Sequence, residues 1–277
     1  MADFEIDVRV NSKRQLHFIF LIALCFAACI PIKGACDTIV LATGSWCPYI
    51  CPDASSETGL NDQPGFFVEI VHEILSEHGH QVNLVVVPWT RAIRGAQNGI
   101  YDGLLGTVPA TVPDFIFPEK GQSYYHMCFF TRLNSTWQYD GIKSLASLRL
   151  GVVQDYDYDN GGELDQYIQQ EINGYWVIPI SGEDKDALNT NIRRVEQGRV
   201  DVIIDGREVM DYYFKNKKAK TIREAGCISK DKMYVAFSPV NDRAKEYADI
   251  LSDGMDSLRA SGKLEEILKK YGVKDWQ

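Results

Sequence analysis

Two stretches that share one pattern decide the fold of this chain: Asn98 to Leu105 reads NGIYDGLL, and Gln197 to Ile204 reads QGRVDVII. Each follows a segment with helical spacing of apolar residues and has, as its second residue, a glycine that can cap a helix. An aspartate three positions after that glycine introduces an apolar strand. The pattern predicts two α/β lobes of similar construction, with a single doubly wound domain as the alternative.

Strand and helix patterns alternate on either side of these two stretches. Leu84 to Val87 is wholly apolar, which is typical of a strand buried on both faces. Strands are also predicted at 38–43, 101–106, 148–153, 176–180 and 200–204, and helices at 67–75, 89–98, 164–172, 186–197, 244–258 and 263–270.

Two extended runs rich in aromatic and β-branched residues, 124–132 and 233–238, lie between the lobe patterns. If both are crossovers, the chain leaves the first lobe, builds the second, and then returns. We therefore predict a discontinuous first lobe (37–127 and 233–277), a second lobe (128–232) and a two-strand hinge.

Residues 1–36 have the pattern of a secretory signal peptide. Lys13 and Arg14 precede the apolar run from Phe18 to Ile30, which is shorter than the ~20 residues that a membrane-spanning helix needs. An N-terminal membrane anchor and lipid attachment at Cys29 are the alternatives. The acidic residues ahead of Lys13 also leave open a misassigned start codon. We expect export to the periplasm.

The composition is that of a globular protein. The chain has 277 residues, of which 45% are hydrophobic and 24% charged, and its net charge is −9. Nucleic-acid binding draws its affinity from neutralising phosphates. This charge therefore argues against a nucleic-acid partner.

Four cysteines remain after the leader, an even number in a chain predicted to reach an oxidising compartment. Cys47 and Cys51 are close enough in sequence to form a local disulfide, with free thiols as the alternative. Whether Cys128 pairs with Cys227 stays open. No histidine or cysteine spacing matches a known metal site, so His72, His78 and His80 are interpreted as surface or half-buried residues.

The candidate binding residues follow the predicted strands. In open α/β sheets, ligands bind beyond the carboxyl ends of the strands, so two facing lobes would enclose a cleft there. Structural roles are the alternative for several of these residues: Trp46 as a core anchor, Arg91 and the acidic loop as solvated surface, and Asp205 as a turn cap. The candidates are Ser45, Trp46, Tyr49, Arg91, Gly106, Thr107, the loop 154–158 with Tyr156, and Asp205.

Signals for catalysis are weak. The sequence has no Gly-x-Ser-x-Gly elbow and no phosphate-binding glycine loop, and no cysteine lies near a plausible histidine base. We expect neither an enzymatic activity nor a cofactor.

Several short motifs resemble the type II periplasmic solute-binding proteins of the amino-acid class (family 3), over residues 37–272. Each motif alone is weak, but their order and spacing together are specific. They are Trp46-Cys47-Pro48-Tyr49, GFFVEI at 65–70, Gly99 with Asp102, GRVDVIID at 198–205, and SGKLEEILKKYG at 261–272.

The resemblance implies a two-lobed, monomeric protein that delivers a small solute to an ABC permease. It also implies a role for each site residue. Trp46 would stack on the ligand, Thr107 and Tyr156 would contribute from the two lobes, and Asp205 would hold an ammonium group.

One departure from the family matters for the ligand. Family members that bind amino acids place an arginine some ten residues beyond the aspartate of the third strand, where it clamps the ligand's carboxylate. The segment 110–115 has no basic residue here. Either Arg91 takes that role, or the ligand is not an ordinary α-amino acid. A dehydratase of cyclic carboxylic acids and a sensory module are the alternative functions.

Overall fold

The fold consists of two five-stranded mixed sheets flanked by helices. The computed structural model describes residues 37–52, 63–172, 174–181, 184–215, 217, 220–228 and 230–277, so the predicted signal peptide and Cys29 lie outside the described residues. The strands are β1 (Thr38–Thr43), β2 (Gln81–Val86), β3 (Gly103–Thr107), β4 (Ser123–Tyr125), β5 (Met127–Arg132), β6 (Leu150–Val153), β7 (Val177–Ile180), β8 (Val202–Gly206), β9 (Ile222–Cys227) and β10 (Asp231–Phe237). The helices are α1 (Phe66–Glu77), α2 (Trp89–Gln97), α3 (Glu163–Glu171), α4 (Asp184–Glu196), α5 (Arg207–Lys215), α6 (Ala244–Ala260) and α7 (Lys263–Tyr271), with a short 3₁₀ helix at Ile142–Leu145.

The two sheets repeat one topology. The first has the order β2-β1-β3-β10-β4, and the second has the order β7-β6-β8-β5-β9. In each sheet the first three strands pair in parallel, and the fourth strand pairs antiparallel with both of its neighbours. The predicted two-lobed α/β fold class is therefore confirmed.

The repeated glycine–aspartate pattern has the same structural role in both lobes. Gly99 and Gly198 adopt positive φ angles of 71° and 69°, which glycine adopts without strain. The carboxylate of Asp102 accepts a hydrogen bond from the Val40 N–H at 2.7 Å, and that of Asp201 accepts one from the Arg149 N–H at 3.0 Å. Each aspartate thereby ties the start of the third strand to the start of the first.

The chain crosses between the sheets twice, as the two extended runs predicted. It passes from β4 in the first sheet to β5 in the second at His126, and it returns from the end of β9 at Cys227 to the start of β10 at Asp231. The disulfide left open by the sequence, Cys128–Cys227, joins β5 to β9 beside these crossovers, with a Cα–Cα distance of 3.9 Å. The division into lobes at residues 127 and 233 stays a prediction.

The helices of the first lobe pack closely because α1 presents a continuous apolar face. Phe67, Ile70 and Ile74 are fully buried on this face. Gly254 of α6 lies against it, and a Cβ at Gly254 would come within 2.2 Å of the Ile74 side chain. A small residue is therefore required where these two helices meet.

Two expectations about burial were wrong. β2 lies at an edge of its sheet, so the segment from Leu84 to Val87 is half-buried or exposed instead of buried on both faces. His80 is only 6% exposed, because its ring bonds Asp37 and packs edge-on against Tyr247.

Candidate ligand-binding cleft

A cleft lies between the two lobes, at the carboxyl ends of the parallel strands. The described residues that line it come from both lobes and from the crossovers: Thr43, Gly44, Trp46, Ile50, Trp89, Gly106, Thr107, Val108, Thr111, Tyr125, Met127, Tyr156, Asp157 and Met233.

The loop after β1 holds Trp46 at this cleft. Trp46 and Ile50 exchange backbone hydrogen bonds of 2.9 and 3.0 Å, and a disulfide joins Cys47 to Cys51, whose α-carbons are 4.8 Å apart. The loop also packs tightly on Gly65, where a Cβ would lie only 2.1 Å from the Tyr49 carbonyl oxygen. Trp46 thus extends from a covalently closed turn.

Tyr49 lies behind Trp46 and does not line the cleft. Its side chain is fully buried and stacks on the Trp46 ring, with the centroids 4.5 Å apart. Its hydroxyl donates to the Glu208 carboxylate at 3.0 Å, as does the hydroxyl of Tyr124, also at 3.0 Å. Burial, followed by the negative charge of Glu208, raises the pKa of both phenols. Tyr49 supports Trp46 in this arrangement.

Glu208, which the sequence reasoning missed, connects the lobes. It belongs to α5 of the second sheet's lobe, whereas Tyr49 and Tyr124 belong to the first sheet's side. The signal for it was weak, because α5 was not predicted and a lone glutamate in a helix is usually solvated. It is the second residue of α5, the helix that begins directly after β8, the strand that carries Asp205.

Asp205 lies in β8 of the second lobe, and its carboxylate already has hydrogen-bond partners. It accepts hydrogen bonds from the Trp46 indole N–H at 3.3 Å and from the Gly206 N–H at 2.7 Å. It lines a neighbouring cavity with Ser45, Trp46 and Tyr156, and does not line the cleft itself. The structure therefore places Asp205 next to Trp46, across the gap between the lobes.

The loop after β6 brings Tyr156 and Asp157 to the cleft and contacts the first lobe at three points. Asp155 accepts a hydrogen bond from the Thr90 hydroxyl at 3.0 Å, and Asn160 accepts one from the Ala110 N–H at 3.1 Å. The Thr111 hydroxyl donates to the Asp157 carboxylate. With the Trp46–Asp205 and Tyr49–Glu208 bonds, these contacts describe a closed arrangement of the lobes.

Two buried hydroxyls at the cleft lack a hydrogen-bond partner among the described residues. They belong to Thr107, which is 3% exposed, and Tyr125, which is 2% exposed. Burial raises the pKa of the Tyr125 phenol, and the negative charges of Asp231, Asp165, Asp159 and Asp157 raise it further. A buried polar group without a partner costs about 1–3 kcal/mol. A polar ligand atom would remove that cost.

Arg91 lies apart from the cleft. It is exposed, and it lines a separate surface depression on α2 together with Thr90, Arg94 and Tyr101. Arg91 lies on the exposed face of α2, whereas Trp89, at the start of the same helix, lines the cleft. The sequence reasoning did not select Trp89, although it follows a parallel strand as Trp46 does.

One described cluster has the geometry of metal ligands: His126, Cys128 and Cys227, with ligand atoms within 4.8 Å of one another. Both of these cysteines are engaged in the disulfide, so neither offers a thiolate. In the part of the chain that the structure describes, no helix combines the length and apolar character needed to cross a membrane.

Neither a protein-family model nor a curated protein matches this sequence. Solved structures do match. A histidine kinase sensor domain similar to periplasmic binding proteins has 17% identity and a TM-score of 0.68, covering 86% of this chain and 98% of its own. The amino-acid ABC transporter substrate-binding protein AbpA of Streptococcus pneumoniae, bound to L-arginine, has 15% identity and a TM-score of 0.64, covering 86% and 97%.

A third similar structure comes from work on glutathione import through GshT and the cystine ABC importer of Streptococcus mutans. Its identity is 18% and its TM-score 0.66, and the alignment covers 85% of this chain and 95% of the other. At such identities the likeness concerns the fold. The predicted resemblance to amino-acid ABC transporter binding proteins is thereby confirmed at the level of the fold, a type II periplasmic-binding-protein fold.

Proposed function

We propose that this protein is an exported solute-binding protein that captures a small solute between its lobes and delivers it to an ABC permease. The observation that carries the proposal is a pair of buried hydroxyls at an interlobe cleft, those of Thr107 and Tyr125, which have no hydrogen-bond partner within the described part of the chain. Natural proteins rarely leave such groups unpaired without a reason. The fold of the amino-acid binding proteins of ABC importers supports the same function.

In this proposal Trp46, Thr107 and Tyr156 contact the solute directly. Tyr49 and Asp205 act on Trp46, Tyr49 by stacking against its ring and Asp205 by accepting its indole N–H. Arg91 makes no contact with the solute, because it lines a different surface. The protein works as a monomer in the periplasm, without a cofactor and without catalysing a reaction.

The test is a thermal-shift screen of amino acids, amines and small carboxylates, followed by recovery of each stabilising solute from the complex. We expect at least one solute to raise the melting temperature and to be recovered unchanged. Recovery of a converted product would instead support an enzyme on this scaffold.

Two tryptophans provide a matched pair of variants for the screen. Trp89→Ala removes a residue of the cleft wall and should abolish the stabilisation by the solute. Trp176→Ala, directly before β7, changes a residue outside the cleft and should preserve it. Equal loss in both variants would place the binding site elsewhere.

A sensory module is the second candidate function. The similarity to a histidine kinase sensor domain favours it, since that domain has the same fold. Cross-linking in cells separates the two functions. Capture of permease subunits supports transport, and capture of a membrane-bound kinase supports sensing.

A further inference from the structure

We propose that the cleft selects organic cations: amines with an apolar or aromatic body and without a carboxylate group. This inference rests on the proposed function and narrows its solute class. It follows from three features of the cleft wall: its charges, its apolar surface, and two hydroxyls that have no partner among the residues that the structure describes.

The charges of the wall have one sign. Among the described residues that line the cleft, Asp157 is the single charged residue, and none is lysine or arginine. Burying a carboxylate without a positive partner is strongly unfavourable, because its hydration is lost and not replaced. The free carboxylate of a solute would therefore face the carboxylate of Asp157, without a lysine or arginine among the described cleft-lining residues to neutralise it.

Three bases outside the cleft lining, those of Lys217, Arg207 and Arg91, do not alter this balance. Lys217 lines the neighbouring cavity, where its ammonium group lies over the Tyr213 ring, 4.9 Å from the centroid. Arg207 is paired with the Glu224 carboxylate through two hydrogen bonds of 2.8 and 2.7 Å. Arg91 lines the separate depression on α2.

The surroundings of Tyr125 also have negative character. Four carboxylates act on its phenol: those of Asp231, Asp165, Asp159 and Asp157. Its hydroxyl oxygen and that of Thr107 can each accept a hydrogen bond from an ammonium N–H. These two acceptors, together with the Asp157 carboxylate, provide partners for the N–H groups of a protonated amine.

The rest of the wall suits the body of such a solute. Trp46 and Trp89 offer aromatic surfaces, which attract cations through the ring quadrupole as well as apolar groups. Ile50, Met127 and Met233 complete an apolar surface that gains free energy when water is displaced. An amine with an apolar or aromatic body satisfies both requirements.

The experiment compares amines with the amino acids that share their side chains. The pairs are tryptamine with tryptophan, tyramine with tyrosine, agmatine with arginine and cadaverine with lysine, measured by isothermal titration calorimetry on the full chain. We expect at least one amine to bind about tenfold or more tightly than its amino acid. Tighter binding of the amino acid in every pair that binds overturns the inference but leaves the proposed function intact.

Failure of all four amines to bind overturns the inference as well. If the amino acids and the wider solute screen also fail, then the proposed function fails with it. The two results are distinguishable, because the wider screen includes solutes of every charge.

Two aspartates of one loop provide the matched variants. Asp157→Asn keeps an acceptor for the Thr111 hydroxyl but removes the negative charge at the cleft, so amine affinity should fall about tenfold. Asp155→Asn makes the same change at a residue that accepts a hydrogen bond from Thr90 and does not line the cleft. This variant should still bind the amine more tightly than the matching amino acid. Thr111→Val separates the loss of the hydrogen bond from the loss of charge. An unchanged amine affinity in Asp157→Asn contradicts the inference.

Discussion

Thr43 and Thr107, two buried threonines of the first sheet, differ in the hydrogen bonding of their side-chain hydroxyl groups. The Thr43 hydroxyl donates to the Leu105 carbonyl oxygen at 2.7 Å, whereas the Thr107 hydroxyl has no partner among the described residues. Both side chains line the cleft and are at most 3% exposed. Removing one member of a hydrogen bond and removing an orphaned hydroxyl have opposite effects on stability.

We therefore expect Thr107→Val to raise the free energy of unfolding by about 1 kcal/mol, and Thr43→Val to lower it by about 1–2 kcal/mol. Urea unfolding without added solute measures both values. A destabilised Thr107→Val protein would show that this hydroxyl is satisfied in the ligand-free state, and it would remove the main support for a solute at this position.

The cleft-lining residues that could be predicted from sequence lie at the carboxyl end of a parallel strand or in the loop that follows it. Trp46, Thr107 and Tyr156 line the cleft because the rule on strand ends depends on topology alone. Tyr125 was missed because it ends β4 beside a crossover, where the sequence shows an extended run but not which side chains face the gap. Arg91 was considered because its charge suits a carboxylate, but its position on α2 directs it to solvent.

At the scale of elements, the loop between β6 and α3 depends on two aspartates. The Asp165 carboxylate accepts hydrogen bonds from the N–H groups of Tyr158, Asp159 and Gly161, at 2.8, 3.1 and 2.9 Å. Asp159 in turn accepts from the N–H groups of Leu164 and Asp165 in the first turn of α3. This reciprocal bonding holds Tyr156 and Asp157 at the cleft.

Burial, followed by the bond to Asp159, raises the pKa of Asp165 to about 6. The folded state then binds its proton more tightly than the unfolded state, so the contribution of Asp165 to stability is largest below pH 4 and is lost as the pH rises towards 6. Asp165→Asn should therefore gain stability relative to the parent protein between pH 4 and 6, by about 1.4 kcal/mol per unit of pKa shift.

Urea unfolding at a series of pH values tests this difference. Asp253→Asn, at an exposed position of α6, is the control and should follow the parent protein at every pH. A constant offset between Asp165→Asn and the parent protein would mean that Asp165 has an ordinary pKa in the folded state.

Most elements could be predicted from sequence because helical spacing and apolar runs are local signals. The prediction that β2 is buried on both faces was wrong because the apolar content of a strand does not show whether it lies at the edge or in the centre of a sheet. The order of the strands in the sheet decides that, and it places β2 at the edge. β9 and α5 were not predicted. β9 pairs with β5 at the outer edge of its sheet, and a pairing between distant segments leaves little local pattern.

At the scale of the molecule, the lobes are joined across the cleft by hydrogen bonds that involve exposed or half-buried groups. The Thr90–Asp155 and Thr111–Asp157 pairs lie on one side, and the Trp46–Asp205 pair connects the loops after β1 and β8. Hydrogen bonds of this kind contribute about 0.5–1.5 kcal/mol each. A few of them can set the balance between open and closed forms, since hinge motions are sensitive to such differences.

We expect the double variant Thr90→Val with Thr111→Val to shift the ligand-free protein towards an open form. Small-angle X-ray scattering should show a larger radius of gyration than for the parent protein. Thr221→Val, at an exposed position before β9, should show no change. An identical radius in the double variant would mean that other contacts determine closure.

The bond between Cys128 and Cys227 has a consequence for the connectivity of the chain. It closes a covalent ring that contains β6, β7, β8 and α3 to α5, while both ends of the chain leave the ring at the crossovers. A protease that cuts once anywhere within this ring releases no fragment, because the two pieces stay linked through sulfur. Under oxidising conditions the second lobe therefore tolerates a single break in its backbone without leaving the rest of the molecule.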